Sequence, residues 1–261
     1  MRDVVQGPLM GKRIVVTRQV ERAGLLSTRL EIQGAETILC PTIQVVPPAS
    51  YTEMDQVISR IQGYRWVVFP SVNSVRSVFQ RMSEIGVPRS RLAEVSLAAV
   101  GPATRQALET GGTTVAYVPD EYLAECLGET LNPVADERIL VMKADIGEPT
   151  LGEILARRGA QVDEVIAYRT VTQPPPENTM VELKRGVDML TFTSPSTVRG
   201  FLKLGPDWRD MTVGVMIATI GPLTSSAVRE MGLEVHVEAE EHTMEGLVSA
   251  IVTEFTSKAG R

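Results

Sequence analysis

Histidine and cysteine, the residues most often recruited for reactive chemistry, number only two each among 261 residues. His236 and His242 share one stretch, EVHVEAEEH, which leaves no imidazole-based triad and no His-rich metal cluster. Their neighbours Glu238, Glu240 and Glu241 read as a solvated acidic loop. Cys40 and Cys126 form no CxxC pair and lie in apolar contexts, ILCPT and AECLG, which reads as two buried free thiols in a reducing compartment. No dense Lys/Arg block occurs, and 26 basic against 32 acidic residues give a net charge of −6, so nucleic-acid binding has no electrostatic source. No run approaches the roughly 18 apolar residues of a membrane span, and the opening MRDVVQGPLMGKR lacks the apolar core of a signal peptide. The expected location is the cytoplasm. Also missing are GxGxxG, GxxxxGK[ST] and GxSxG, the marks of dinucleotide, nucleotide and α/β-hydrolase sites. A catalyst built from this chain is expected to work without metal, redox cofactor or covalent nucleophile.

What the chain does contain is itself, twice. RIVVTR (13–18) matches RILVMK (138–143) at an offset of 125, which also lays Leu26 on Leu151, Leu30 on Leu155 and Gly34-Ala35 on Gly159-Ala160. WVVFPSVNSVR (66–76) lies over MLTFTSPSTVR (189–199) at an offset of 123, and AAVGPATRQAL (98–108) over ATIGPLTSSAV (218–228) at 120. Each block is a short β-branched run, a small polar turn and an amphipathic stretch, which is a βα unit. Their alternation predicts an α/β protein of two similar doubly wound domains, with parallel sheets flanked by helices. ILCPTIQVVPP (38–48) and VDEVIAYRTVTQPPP (162–176) end in proline clusters that favour extended chain, and read as connecting strands. Crossings there would pack the N-terminal unit with the C-terminal half and leave the middle of the chain as the other domain.

In open α/β sheets ligands sit beyond the carboxyl ends of the strands. The residues placed there are Thr17-Arg18, Ser71 and Asn73, Gly101 and Thr104, and Lys143 in the first three runs and the repeated first strand. The second copy adds Thr193, Ser194, Ser196 and Thr197, then Gly221, Thr224 and Ser225. Most are neutral residues opening a helix. N-capping accounts for such residues one at a time. Their recurrence in both copies favours a polar surface of N–H groups and positive helix ends suited to carboxylates or phosphates. Tyr168, in VIAYRT, falls on Ile43 at the offset of 125. A half-buried tyrosine on a strand is common, yet a neutral phenol can also donate a proton to a departing hydroxyl. Arg18 and Lys143 are cations kept in both copies, fit for an anionic ligand or for balancing Glu21, Asp145 and Glu148.

These blocks together resemble the uroporphyrinogen-III synthase family over nearly the whole chain. The matching segments are VVTR (15–18), FPSVNSV (69–75), VGPATRQAL (100–108), GAQVDEVIAYRT (159–170), FTSPSTVRGF (192–201) and IGPLTSSAVREMGL (220–233), with EEHTMEGLVSAI (240–251) as the closing helix. Pro70 departs from the threonine usual there, which Thr193 keeps in the second copy. The resemblance implies two flavodoxin-like domains joined by a two-stranded linker: 1–42 with 173–261 as one lobe, and 43–172, including the linker strands, as the other. It also implies the reaction. Hydroxymethylbilane, a linear tetrapyrrole with eight carboxylates, loses water and closes to uroporphyrinogen III with ring D inverted, and no cofactor is used. On this reading Tyr168 is the acid, and Thr17, Arg18, Ser71, Asn73, Gly101, Thr104 and Lys143 bind substrate. Thr193, Ser194, Ser196, Thr197, Gly221, Thr224 and Ser225 do so from the second copy. A monomer is expected, meeting the preceding enzyme of the pathway only transiently. Two rivals remain at this level: a two-lobed sensor or binding protein for an anionic ligand, and a sugar or nucleotide transferase, whose phosphate loop is not found.

Overall fold

The computed structural model describes residues 7–18, 20–131, 136–145, 150–204 and 210–259. In chain order the first half carries β1 (Arg13–Val16), α1 (Val20–Ile32), β2 (Glu36–Leu39), β3 (Ile43–Val46), α2 (Thr52–Ser59), β4 (Trp66–Phe69), α3 (Val72–Glu84), β5 (Ser96–Ala99), α4 (Pro102–Thr110) and α5 (Ala124–Thr130). The second carries β6 (Arg138–Ala144), α6 (Thr150–Arg157), β7 (Gln161–Thr172), α7 (Glu177–Lys184), β8 (Met189–Phe192), α8 (Pro195–Leu202), β9 (Met216–Thr219), α9 (Pro222–Glu230), β10 (Val237–Glu238) and α10 (Met244–Ala259). The chain divides into two compact units, Met1–Gln44 with Val171–Arg261, and Val45–Thr170.

The first unit holds a sheet ordered β10-β9-β8-β1-β2. Its pairings are parallel, so helices cover both faces and the central strands β1, β8 and β9 are buried along most of their length. All four residues of β8, MLTF, are buried. Alternation sorts side chains between two cores: Ile14 and Val16 pack with Leu26, Leu30 and Leu247, while Val15 packs with Phe192, Phe201 and Val228. The second unit is ordered β3-β7-β6-β4-β5, and Tyr117 extends it by a parallel bridge to Ala98. Here Phe69, Leu140 and Met142 face a core with Phe79 and Met82, and Val68, Ile139 and Val141 face one with Leu127 and Leu155. On α3 the buried Val75, Val78, Phe79 and Met82 follow the spacing of one helical face.

The duplication is visible in the sheets. Beginning from β1, the first unit reads 2-1-3-4-5, the flavodoxin-like order; beginning from β6, the second reads the same, with β3 added outside β7, once Tyr117 is taken as its fifth strand. The matched sequence blocks occupy matched sheet positions, β1 with β6, β4 with β8 and β5 with β9. The opening βαβ of each copy has therefore joined the remaining strands of the other copy. Proline explains one difference between the copies. β7 runs unbroken for 12 residues, whereas its counterpart stops at Leu39 and resumes at Ile43, around Pro41, which has no N–H for a ladder. β3 and β7 are neighbours in the second sheet, and these are the strands along which the chain passes between units.

Two local expectations need revision. The last helix begins at Met244, because the Thr243 hydroxyl accepts the Gly246 N–H at 3.0 Å and caps it, so Glu240–Thr243 form a bend. The helix then runs on to Ala259. Cys126 is only half-buried, its thiol donating to Glu121 at 3.5 Å, whereas Cys40 is fully enclosed. Burial pushes the Cys40 thiol pKa up to about 12.

Candidate active site

Each sheet has one point where strand order reverses, and there the connections leave in opposite directions and open a crevice at the carboxyl ends. In the first unit it lies between β1 and β8, followed by Thr17-Arg18 and Thr193-Ser194. In the second it lies between β6 and β4; Lys143 is the next-to-last residue of β6 itself rather than past its end, Asp145 follows β6, and Pro70-Ser71 follow β4.

In the second unit a bulge sets the key side chain. β6 and β7 run in register until Lys143 faces Ile166; the next residue, Ala144, faces Tyr168, so Ala167 is the extra residue. Such an irregularity redirects a side chain near the strand end. Ala167 and Tyr168 are consequently both buried, and the phenol ring packs against the core while its Oη lies 3.1 Å from Ser71 Oγ. Ser71 is the N-cap of α3. Its hydroxyl accepts the Ser74 N–H at 3.2 Å, and the Ser74 hydroxyl donates to Ser71 O at 2.7 Å. Asn73 is half-buried in the same first turn. The next helix start is Gly101, with Pro102 at the first position of α4 and the buried Thr104 donating its N–H to Gly101 O at 3.1 Å. Lys143 is half-buried and pairs with Glu164 at 2.6 Å. Of the balancing carboxylates anticipated from sequence, Glu148 lies outside the described residues, as does the side chain of Glu21, and the Asp145 carboxylate accepts the Thr170 N–H.

The first unit repeats the scheme with more internal stitching. Thr17 is fully buried and donates to Thr191 O at 2.7 Å, and Thr191 donates to Val15 O at 2.8 Å. Ser194 caps α8 by accepting the Thr197 N–H at 3.3 Å, and its hydroxyl meets Ser196 Oγ at 2.9 Å. Thr197 donates to Ser194 O at 2.7 Å, and Ser225 bonds Thr219 at 2.6 Å. Thr17, Thr197 and Ser225 thus spend their hydroxyls inside the fold, while Thr193, Ser194 and Ser196 keep partial exposure. Thr224 is buried, its N–H donated to Gly221 O, the start of α9. Arg18 is half-buried, its guanidinium 2.8 Å from the Met244 sulfur, and burial lowers its pKa. Among the described residues no carboxylate pairs with it.

Sequence reading missed two rings. A Cβ on Gly101 would lie 3.5 Å from the Cβ of Tyr122, and one on Gly221 would lie 2.8 Å from the His242 ring. Tyr122 and His242 are related by the same offset of 120 as the glycines, which was the available signal. Each helix-opening glycine is therefore overlaid by a side chain from the matching loop. Among the described residues no cluster of three His, Cys, Asp or Glu side chains could hold a metal ion, and no helix is long and apolar enough to cross a membrane.

Comparison with known proteins agrees with this architecture. The family model for uroporphyrinogen-III synthase HemD matches residues 25–249. The uroporphyrinogen-III synthase of Synechococcus elongatus is 34% identical over 257 residues, covering 95% of this chain and 97% of that one. The Chlorobaculum parvum uroporphyrinogen-III synthase is 28% identical, covering 88% and 93%. Among solved structures, a mutant uroporphyrinogen III synthase from Thermus thermophilus superposes with a TM-score of 0.71 over 95% of this chain and 100% of that one, at 18% identity. The uroporphyrinogen-III synthetase from Helicobacter pylori gives 0.63 over 94% and 99%, at 15% identity. At such identities the structures speak for the fold, while the sequence matches extend over almost the full length of the chain. The chain belongs to the uroporphyrinogen-III synthase family.

Proposed function

We propose that Tyr168 supplies the proton in the reaction of this family, the cyclisation of hydroxymethylbilane to uroporphyrinogen III with loss of water. The observation carrying this reading is the placement of the phenol. A bulge brings its Oη to the carboxyl end of the sheet, at the strand-order reversal, beside the N-terminus of α3. Protonation lets the substrate hydroxyl leave as water and produces an electrophilic azafulvene, which a surface of Ser, Thr and amide groups does not trap. The helix starts at Ser71, Gly101, Ser194 and Gly221, with Asn73, Thr104, Thr193, Ser196 and Thr224 beside them, offer N–H and hydroxyl groups to the carboxylates. Thr17, Thr197 and Ser225 hold those turns in shape, and Arg18 and Lys143 add positive charge. An acidic protein can thereby bind a polyanion without a cation for each acid group. Holding the reacting end against the substituted carbon of ring D is a positioning task, of a kind that can supply several kcal/mol.

The protein is taken to act as a monomer in the cytoplasm, with transient contact to the enzyme that makes the bilane; sedimentation of the purified chain tests the first point. Activity is tested by incubation with freshly made bilane, oxidation of the product and separation of isomers I and III. Enrichment of isomer III is expected, whereas a binding protein leaves the isomer I background unchanged. Tyr168→Phe is expected to lower kcat by about 10²-fold or less. Unchanged turnover removes the acid role.

A further inference from the structure

We propose that Ser71 is a positioning residue for Tyr168, fixing the direction in which the phenol hydrogen points and holding the phenolate once that hydrogen has gone. The proposal rests on the reading of Tyr168 as the acid. A serine hydroxyl has one hydrogen and two lone pairs. One lone pair of Ser71 Oγ takes the Ser74 N–H at 3.2 Å. Its hydrogen has two acceptors in view, Tyr168 Oη at 3.1 Å and Ser74 Oγ at 3.4 Å. Tyr168 Oη is the nearer of the two, and the proposal gives it the hydrogen. The Ser74 hydroxyl hydrogen is itself donated to Ser71 O at 2.7 Å and cannot turn toward Ser71 Oγ. The Ser71–Tyr168 bond can run in either sense, and in the proposed one Tyr168 Oη accepts from Ser71. Among the described residues it has no second partner, and its own hydrogen is left for an external acceptor.

The proton step follows from this wiring. The Tyr168 O–H bond breaks as the substrate hydroxyl takes the proton, and the C–O bond of the substrate breaks with its electron pair leaving on water. The phenolate accepts the Ser71 hydrogen in a charge-assisted bond, with the Ser74 N–H and the positive end of the 13-residue α3 behind it. The proton released when the macrocycle closes restores the phenol.

The test uses Ser71→Gly, since glycine is a tolerated N-cap and takes away the CH2OH that carries the hydroxyl. It is expected to lower kcat about tenfold with KM within about twofold, and Ser71→Thr is expected to restore kcat to within about threefold. In a Tyr168→Phe background Ser71→Gly is expected to lower kcat no further, because there is no proton to direct. A raised KM at unchanged kcat assigns Ser71 to substrate binding and overturns the proposal. So does an equal fall of kcat with or without the phenol. Normal turnover in Tyr168→Phe alone overturns the acid reading and is seen separately. Ser71→Ala, compared with Ser71→Gly by circular dichroism and melting, separates loss of the helix cap from loss of the hydroxyl.

Discussion

Arg81 grips Asp55 with two parallel bonds, Nε to Oδ1 and Nη2 to Oδ2, both 2.7 Å, while its guanidinium lies 4.1 Å from the centre of the Tyr51 ring. This fork fastens α2 to α3, the helix whose first turn holds Ser71. The Arg81 hydrogen bonds hold the Asp55 carboxyl below its ordinary pKa. A carboxylate depressed in the folded state adds stability above its unfolded pKa and loses it as pH falls through the lower folded value. Arg81→Lys, which keeps charge but loses the fork, is expected to lower stability near neutral pH. The cost shrinks below the carboxylate range, and urea melts at pH 7 and pH 2.5 check the difference.

Two glycines in helices of the first unit should respond oppositely to alanine. A Cβ at Gly24, in α1, meets nothing within 4 Å, so Gly24→Ala is expected to stabilise by about 0.5–1 kcal/mol. At Gly200, in α8, a Cβ would lie 2.6 Å from Thr42 O and 2.7 Å from Ile43 Cγ2. Gly200→Ala is expected to destabilise by roughly 1–3 kcal/mol. Chemical denaturation of both variants beside the parent reads the two signs.

The thiols should separate kinetically. Cys126 is half-exposed and Cys40 is buried with its pKa raised to about 12. A disulfide reagent at pH 8 is expected to titrate one thiol per native chain and a second only in denaturant.

The two cations should differ in their effect on substrate affinity. Lys143 is already held by Glu164 at 2.6 Å, whereas Arg18 has no carboxylate partner among the described residues. Arg18→Met is expected to raise KM by about tenfold, Lys143→Met by less, with kcat little changed in either, as for interactions made equally in ground and transition states. Steady-state kinetics on fresh bilane decides.

The parallel sheets and their helices were legible because burial on both faces forces continuous, mostly apolar runs such as IVV and MLTF, and because helix caps need small polar residues where those runs end. The repeat offsets carried further, since matched blocks such as 98–108 and 218–228 fell on equivalent strands. The bulge at Ala167 was not legible, because a one-residue slip depends on the partner strand and leaves no mark in VIAYRT. Nor was the bond between Tyr168 and Ser71, which lie 97 residues apart. Thr17 illustrates a third limit. From sequence its hydroxyl at a strand end looks available, but the neighbouring strand supplies Thr191 O as its acceptor.

The exchange of opening βαβ pieces between the copies sets an order of assembly during synthesis. Ile14 pairs with Met189, about 175 residues downstream, whereas every strand of the second sheet has been made once Thr172 has emerged. At about 5–20 residues per second, β1 waits on the order of ten to thirty seconds for its neighbour. During that interval β1 has β2 on one side, but its other edge, the one that takes β8, is unpaired. A ribosome-bound nascent chain stopped far enough past residue 172 for Thr172 to have cleared the exit tunnel should already protect the middle segment from protease while its first 44 residues are cut.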